Sequence, residues 1–112
     1  MDVRAIIRIF RILEHLGPDI VHTHTAKAGF NARFAVLIYN FIFRKDIHIV
    51  HAFHGFVFER YFSRVRSQLF VLIERFIARF TDIIIAISDT QKRELMGKYR
   101  IAETSKIKLI PL

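Results

Sequence analysis

The sequence predicts an α/β fold in which a parallel sheet carries helices on both faces. Three short apolar runs, residues 19–24, 47–52 and 82–87, are rich in β-branched side chains and have the length of strands. Each run is followed by a segment in which apolar residues recur with the period of a helix. This alternation indicates parallel strands, because a parallel pair needs a long crossover connection, which is usually a helix.

Two helices are predicted in the first half of the chain. The first spans residues 2–16, where apolar side chains recur at helical spacing, and Gly17-Pro18 ends it. Thr25 can cap the second, because a threonine hydroxyl can accept a hydrogen bond from a free N–H group of the first turn. The predicted core stripe of this second helix consists of Phe30, Phe34, Leu37, Ile38 and Phe41.

The clearest amphipathic helix is predicted at residues 63–80. Its apolar stripe consists of Val65, Leu69, Leu72, Ile73, Phe76 and Phe80, and its opposite side of Arg64, Gln68, Arg75 and Arg79. After the third strand, Ser88 and Gln91 have the spacing of a capping box, which predicts a helix up to about Tyr99. Residues 106–110 form the last predicted strand.

Composition restricts the class of protein. The chain has 112 residues, 53% of them hydrophobic, which suffices for one core. It has no cysteine, so disulfide bonds and thiolate metal sites are excluded. Its formal net charge of +8 favours anionic partners such as phosphorylated sugars, nucleic acid or an anionic membrane surface. No apolar run approaches the roughly 18 residues of a membrane span, and arginines interrupt the N-terminal run before it could serve as a signal peptide.

Polar residues follow each predicted strand, at the edge where ligands of parallel sheets bind. The residues expected to gather at this edge are His22, His24, Lys27, His54, Gly55 and Ser88. The histidines at 22 and 24 point to one side of a strand, so they could hold zinc together with His51 or His54. Because no carboxylate or thiolate stands nearby to complete such a shell, we favour histidines that form hydrogen bonds at the strand end or contact a ligand.

Motif spacing excludes several classes of site. The four glycines stand too far apart for a dinucleotide or P-loop nucleotide site, and the G-x-S-x-G nucleophile motif is absent. No helix-turn-helix, zinc-finger, ribonucleoprotein or KH pattern indicates nucleic acid. Two basic stripes adjoin apolar residues, so each is either the solvated side of a helix or a contact with an anionic bilayer. The first consists of Arg4, Arg8 and Arg11, and the second of Arg64, Arg75 and Arg79.

Four segments of the chain, taken in order, form a sequence pattern. They are PDIVHTHTAKAGFNAR at 18–33, HIVHAFHGFVFERYFS at 48–63, ERFIARFTDIIIAISDTQKREL at 74–95 and KIKLIP at 106–111. This pattern resembles the N-terminal domain of family 4 glycosyltransferases, and it covers nearly the whole chain. The resemblance implies a retaining enzyme of the GT-B fold, in which this chain is a partial, Rossmann-like N-terminal domain on the acceptor side.

The resemblance also implies roles for particular residues. His54, in the F-H-G segment, faces the cleft in that family, contacts the donor sugar and is the expected catalytic residue. The H-T-H-T-A-K-A-G loop supplies the acceptor-side residues His24, Thr25, Lys27 and Gly29. Further substrate contacts are expected from Gly55, Glu59 and Ser88, although a position in a loop or at a helix start suits Glu59 better.

Substrates and location follow from the same resemblance. The expected substrates are a nucleotide-sugar donor and a saccharide or lipid-linked acceptor in the synthesis of cell-envelope polysaccharide or glycolipid. No cofactor, metal or nucleic acid is expected. The expected location is the cytoplasm, with peripheral contact at the inner face of the cell membrane as an option.

The chain also departs from the family pattern. The 112 residues lack the glycine-rich first loop and the C-terminal nucleotide-sugar domain with its E-x7-E pair, and Glu74 and Asp82 reproduce that spacing only across a helix and a strand. We therefore expect an incomplete single domain over residues 1–112, inactive alone, with one exposed apolar face or edge. The alternative is a non-enzymatic doubly wound module that binds a phosphorylated ligand or a protein partner.

Overall fold

The computed structural model of the chain describes residues 2–53 and 64–111, except the side chains of residues 26–28, 64, 66 and 67. The helices are α1 (Val3–Leu16), α2 (Ala26–Phe43), α3 (Arg64–Ala78) and α4 (Asp89–Arg93), which continues as a π-helical segment, Glu94–Lys98. The strands are β1 (Ile20–His24), β2 (His48–Ala52), β3 (Ile83–Ala86) and β4 (Ile107–Leu109), and a 3₁₀ turn, Thr104–Lys106, precedes β4.

The four strands form one parallel sheet in the order β1-β2-β3-β4. The register sets His24 of β1 beside Ala52 of β2, and Ala52 beside Ile85 of β3. The predicted α/β class is therefore confirmed. The four predicted strands are confirmed to within one residue at each end.

The local sequence explains where α1 begins and ends. Asp2 stands at the N-cap, and one of its carboxylate oxygens accepts hydrogen bonds from the N–H groups of Arg4 (3.1 Å) and Ala5 (3.2 Å). Gly17 stands at the C-cap with a φ of +56°, a left-handed conformation that a glycine adopts without the clash of a Cβ atom. The predicted end of this helix at Gly17 is confirmed.

The helices of the described chain cover one face of the sheet. Because each strand pairs with the next strand in the sequence, crossovers of one hand all pass on the same side. The covered face carries the buried residues Thr23, Ile49, His51, Ile84 and Ile107. The opposite face carries the exposed residues Ile20, His22, His24, His48 and Ile83. Helices were predicted on both faces of the sheet, and among the described residues they cover one. The other face is exposed and carries apolar residues, as expected.

Two apolar clusters hold the helices against the sheet. The first joins α1, α2 and β2 through Ile6, Leu13, Ala35, Val36, Tyr39, Ile47 and Ile49. The second joins α3, β3, β4 and the segment after α4 through Phe53, Val71, Ala78, Ile84, Ala86, Leu95, Tyr99, Ile101 and Ile107. Each large apolar side chain that is fully buried in this way stabilises the fold by roughly 1.5–3 kcal/mol.

The core stripe predicted for α3 is wrong at most of its positions, and that predicted for α2 is wrong at Phe41, whereas Phe34 packs against the first cluster. The predicted core residues Val65, Leu69, Leu72 and Phe76 of α3 and Phe41 of α2 are exposed. The buried sides carry Val71, Glu74, Ile77 and Ala78 in α3 and Asn31, Arg33, Ala35, Val36 and Tyr39 in α2. On these buried sides Arg33 of α2 and Glu74 of α3 bond to each other, a contact between two helices that the apolar period of neither helix predicts.

α1 presents its basic side to solvent, as predicted. Arg4, Arg8 and Arg11 are exposed, and the apolar Ile7 and Ile12 beside them are also about half exposed. Among the described residues, no helix combines the length and the apolarity that a membrane crossing requires.

Candidate functional site

The carboxyl ends of β1, β2 and β3 lie side by side, as predicted for the ligand-binding edge. Thr25 donates its backbone N–H to the carbonyl oxygen of Ala52 (3.3 Å), and Phe53 donates its N–H to that of Ile85 (3.3 Å). These bonds continue the sheet beyond β1 and β2, so the loops that follow these strands start from neighbouring points. The predicted residues His54, Gly55 and Glu59 lie outside the described residues, and their roles stay predictions.

His22 and His24 lie together on the uncovered face of the sheet. Their ring centroids are 4.3 Å apart, so the predicted projection of both imidazoles to one side is confirmed. His51, considered as a third metal ligand, lies on the opposite face, where it is fully buried. In the described part of the chain, no three histidine, aspartate or glutamate side chains are grouped to hold a metal ion.

Thr25 joins β1 to α2 in a strained conformation. Its φ of +63° and ψ of 165° fall in a region almost exclusive to glycine. Thr25 stands at the N-cap position, but its side chain makes no hydrogen bond to the first turn of α2. The predicted capping by Thr25 is therefore wrong. The first N–H groups of α2, which have no partner within the helix, therefore lie at the carboxyl edge and are not capped by Thr25. Lys27 belongs to this turn, and its side chain lies outside the description.

Ser88 begins α4 and has a structural partner. Its hydroxyl accepts a hydrogen bond from the N–H group of Gln91 (3.1 Å), and the side-chain oxygen of Gln91 accepts one from the N–H group of Ile87 (2.9 Å). The predicted pairing of Ser88 with Gln91 is confirmed, with the returning bond made to Ile87. The predicted contact of Ser88 with substrate stays a prediction.

Gly29 lets α2 lie directly against β2. A Cβ atom at this position would overlap Cε1 of the His51 ring and come within 2.8 Å of its Nδ1. His51 cannot easily move away, because its Nδ1 lies 2.7 Å from Oγ1 of Thr23 in a buried hydrogen bond and its ring packs edge-on against Phe53. The structure thus gives Gly29 a packing role beneath the carboxyl edge, and its predicted contact with substrate stays a prediction.

A buried ion pair joins α2 to α3 below this edge. One terminal nitrogen of Arg33 lies 2.8 and 2.9 Å from the two carboxylate oxygens of Glu74. The Nε–H group of Arg33 donates to the carbonyl oxygen of Gly29 (3.1 Å), in the turn that begins α2. Since both side chains are completely buried, the pair connects the start of α2 to α3 inside the protein.

Comparison with known proteins identifies the family. The sequence model of the family described as Glycosyltransferase Family 4 matches residues 1–112. The chain belongs to glycosyltransferase family 4. The predicted resemblance is therefore confirmed, and the parallel sheet agrees with a Rossmann-like N-terminal domain of this family.

Two curated proteins are similar in sequence to this family 4 chain. It is 29% identical over 110 residues to a UDP-Gal:alpha-D-GlcNAc-diphosphoundecaprenol alpha-1,3-galactosyltransferase of Escherichia coli, which covers 98% of this chain and 27% of that protein. It is 31% identical over 80 residues to an uncharacterized 41.2 kDa protein in the cps region of Klebsiella pneumoniae, which covers 71% of this chain and 22% of that protein. The chain thus spans about a quarter of the length of these relatives.

Burial controls the ionisation of Glu74. Burial raises the pKa of Glu74 above its ordinary value of 4.5, and the charge and hydrogen bonds of Arg33 oppose that rise. Nη1 of Arg33 is buried without a hydrogen-bond partner among the described residues. An unsatisfied buried donor costs roughly 1–3 kcal/mol, so the pair is held in place at an energetic cost.

The Arg33–Glu74 pair is a feature that helical periodicity missed. The available signal is a charged residue on the apolar side of a helix, since Arg33 precedes Phe34 and Glu74 follows Ile73. Asp82, in contrast, accepts a hydrogen bond from the N–H group of Ile49 (2.8 Å) near the amino ends of the strands. Glu74 and Asp82 therefore do not form a carboxylate pair, in agreement with the interpretation of their spacing.

Proposed function

We propose that this family 4 chain is the acceptor-side part of a retaining glycosyltransferase. The enzyme transfers a hexose from a nucleotide-sugar donor to a saccharide or lipid-linked acceptor in the synthesis of cell-envelope polysaccharide or glycolipid. The name of the E. coli relative, which specifies UDP-Gal and a GlcNAc-diphosphoundecaprenol, supports these substrate classes. The observation that carries the proposal is the side-by-side start of the loops after β1 and β2.

The start of α2 supplies the chemistry that sugar transfer requires. Transfer from a nucleotide sugar develops negative charge on the leaving phosphate and needs hydrogen bonds to sugar hydroxyls. The N–H groups at the start of α2 lie at the positive end of a helix dipole and are not capped by the side chain of Thr25. We propose that the hydroxyl of Thr25, which does not cap the helix, contacts a substrate hydroxyl at the same edge.

The role proposed for His54 is tested in the full-length enzyme. We expect His54→Ala to lower kcat about 10² to 10³-fold with Tm unchanged, because a hydrogen bond that strengthens as charge develops contributes roughly 3–4 kcal/mol in the transition state. Turnover is measured with a nucleotide-sugar donor and a lipid-linked acceptor. The anomeric configuration of the product, read by NMR, tests whether the enzyme retains configuration.

His15→Ala is the matched control for His54→Ala. His15 is exposed in the last turn of α1, so its removal should change neither turnover nor Tm. Near-normal turnover of His54→Ala with a lowered Tm would assign His54 to the scaffold and contradict the proposal. A product of inverted configuration would contradict the retaining mechanism alone.

We also propose that the protein contacts the inner face of the cell membrane peripherally through α1. The exposed arginines of α1 attract anionic lipid headgroups, and its exposed isoleucines can enter the headgroup region. Binding to vesicles should increase with anionic lipid and fall with salt. Substitution of Arg4, Arg8 and Arg11 by Gln should abolish this dependence, and equal binding to neutral vesicles would contradict the electrostatic account.

A further inference from the structure

A separate cavity opens near the amino ends of β3 and β4, away from the carboxyl edge. It has a volume of about 700 Å³ and lies between the end of α3, the segment after α4 and the start of β4. Its charged lining consists of Arg75, Arg79, Arg100 and Lys106, with one carboxylate, Glu103. Because strands rise about 3.3 Å per residue, the length of β3 separates the cavity from the carboxyl edge by roughly 13 Å.

Lys106 interacts with the negative end of the α3 dipole, so this helix end does not neutralise the arginines that line the cavity. Its ammonium group donates hydrogen bonds to the carbonyl oxygens of Ala78 (2.9 Å) and Arg79 (3.1 Å), which form the negative end of the helix dipole. The helix terminus therefore has its own cation. The positive charge of the three arginines is opposed by Glu103 alone among the lining residues.

Arg75 is oriented toward this region by the backbone. Its Nε–H group donates to the carbonyl oxygen of Tyr99 (2.8 Å), and its side chain is half-buried. The two terminal nitrogens of its guanidinium form no hydrogen bond or ion pair within residues 2–53 and 64–111. Arg79 and Arg100 likewise have no ion-pair partner in this part of the chain. Three guanidinium groups are thus available to an anion.

Arg100 occupies a backbone position that favours glycine. Its φ is +50°, and the N–H group of Ile101 beyond it bonds to the carbonyl oxygen of Leu95 (2.8 Å) at the end of the π-helical segment. A glycine would adopt this conformation without the clash of a Cβ atom. The arginine therefore costs conformational energy at this position, which a glycine would not.

We propose that this cavity binds a phosphate-bearing anion. Guanidinium groups match phosphate oxygens with pairs of parallel hydrogen bonds, and three of them line the cavity. Ala78, Met96, Ile101 and Ala102 also line the cavity, and this apolar surface suits the carbon-rich part of a phosphate ester. The phosphate group belongs either to a soluble ester or to a phospholipid headgroup, and the two sources are distinguished below. The proposal does not rest on the transferase activity.

The decisive comparison is between Arg100→Gly and Arg44→Gly in the full chain. Both arginines are exposed and have left-handed backbone conformations, with φ values of +50° and +52°, and only Arg100 lines the cavity. Each substitution removes one positive charge and relieves the strain of a left-handed backbone conformation. The pair therefore separates a contact in the cavity from a general effect of net charge.

Pyrophosphate binding and Tm are measured by calorimetry for each variant. We expect Arg100→Gly to weaken pyrophosphate binding about tenfold or more, because a hydrogen bond to a charged group is lost, while its Tm is unchanged or higher. Arg79→Gln should also weaken binding. Arg44→Gly should bind as the wild type does. Equal weakening by Arg44→Gly and Arg100→Gly, or no effect of Arg100→Gly, would overturn the proposal.

Vesicles identify the source of the phosphate group. If the ligand is a lipid, Arg100→Gly should bind phosphatidylglycerol vesicles more weakly than Arg44→Gly does, and pyrophosphate should compete with the vesicles. If the ligand is soluble, pyrophosphate binding should depend on Arg100 while both variants bind vesicles equally. Failure of wild-type protein to bind either probe would overturn the proposal and leave the transferase assignment unaffected, since turnover at the carboxyl edge is assayed separately.

Discussion

At the scale of single residues, the Arg33–Glu74 pair determines how α2 and α3 fit together. Both side chains lost their hydration on burial, and the contact of one arginine nitrogen with both carboxylate oxygens offsets part of that loss. A buried pair of this kind contributes little net stability compared with apolar residues of the same volume. Its effect is to penalise any packing of the two helices that separates the charges.

A double-mutant cycle tests this account. We expect Arg33→Met or Glu74→Leu alone to lower the free energy of unfolding by about 3–5 kcal/mol, because each leaves a buried partner unpaired. The double variant should recover most of that loss, since neither new side chain needs a polar partner. Urea unfolding of the four proteins measures the coupling. The account would be refuted if the double variant lost as much free energy of unfolding as the two single variants lose together.

The raised pKa of Glu74 predicts how stability changes with pH. Since the folded pKa lies above the ordinary value of 4.5, the folded state binds the proton more tightly than the unfolded state does. This contribution to stability is fully present below pH 4.5 and is lost as pH rises through the folded pKa. The free energy of unfolding of the wild type, taken relative to Glu74→Gln, should therefore fall as pH rises above 4.5. If this difference in the free energy of unfolding rose with pH, the effect of Arg33 on the pKa of Glu74 would be larger than that of burial.

Gly29 gives a second prediction at this scale. Gly29→Ala should lower the free energy of unfolding by about 1–3 kcal/mol, because the new methyl group is forced against the buried His51 ring. Gly97→Ala is the matched control, since nothing lies within 4 Å of an added Cβ atom there. That variant should be neutral, or more stable by up to about 1 kcal/mol, because alanine favours helical conformations. Equal effects of the two substitutions in urea unfolding would contradict the close-approach explanation.

At the scale of elements, the sequence predicted the strands well and the buried sides of the helices poorly. The strands are short β-branched runs with clear turn residues between them, so their limits and their parallel pairing follow from local pattern. α2 has apolar residues on nearly every side, and α3 carries a prominent apolar stripe that stays outside the core. Periodicity alone therefore does not identify the buried side, which in α2 carries Arg33 and Tyr39 as well as Ala35 and Val36.

The sequence predicted the position of the candidate site but not the contacts beneath it. Strand order places Thr25 and Ser88 after strand ends, so their position at the carboxyl edge follows from the fold class. The contact of Gly29 with His51 depends on how closely α2 approaches β2, a distance that the sequence does not encode locally. The Arg33–Glu74 pair joins residues 41 positions apart, which is beyond the reach of any helical or strand period.

The connection between β1 and α2 gives a prediction for this element. Thr25→Gly should raise the free energy of unfolding by about 1 kcal/mol, because glycine adopts the conformation that strains threonine. Thr90→Gly, within α4, is the control and should lower it by roughly 0.5–1 kcal/mol. In the full-length enzyme Thr25→Gly should also lower turnover if the hydroxyl contacts substrate. A destabilised Thr25→Gly variant would rule out backbone strain at this position.

At the scale of the whole molecule, the outer surface of α2 and α3 is apolar. Between them lies a groove of about 330 Å³ lined by Phe30, Phe34, Leu72, Ile73, Phe76 and Ile77. Exposed apolar surface of this kind favours self-association. We expect Leu72→Glu to raise solubility with little change in Tm, because Leu72 is 57% exposed.

Val71→Glu is the control for Leu72→Glu. Val71 is the next residue of α3 and lies in the core, so a charge there should strongly destabilise the fold. Light scattering against concentration measures association, and thermal unfolding measures stability. Comparable loss of Tm in both variants would show that Leu72 contributes to the core.

The pairing of each strand with its successor also determines the order in which the chain can fold. β1, α2 and β2 contact one another within a short stretch of sequence, so this unit can form while later residues are still being synthesised. The Arg33–Glu74 contact can close only after α3 has been added. It should therefore be absent from an early folding transition state, and its removal should speed unfolding while leaving the folding rate nearly unchanged.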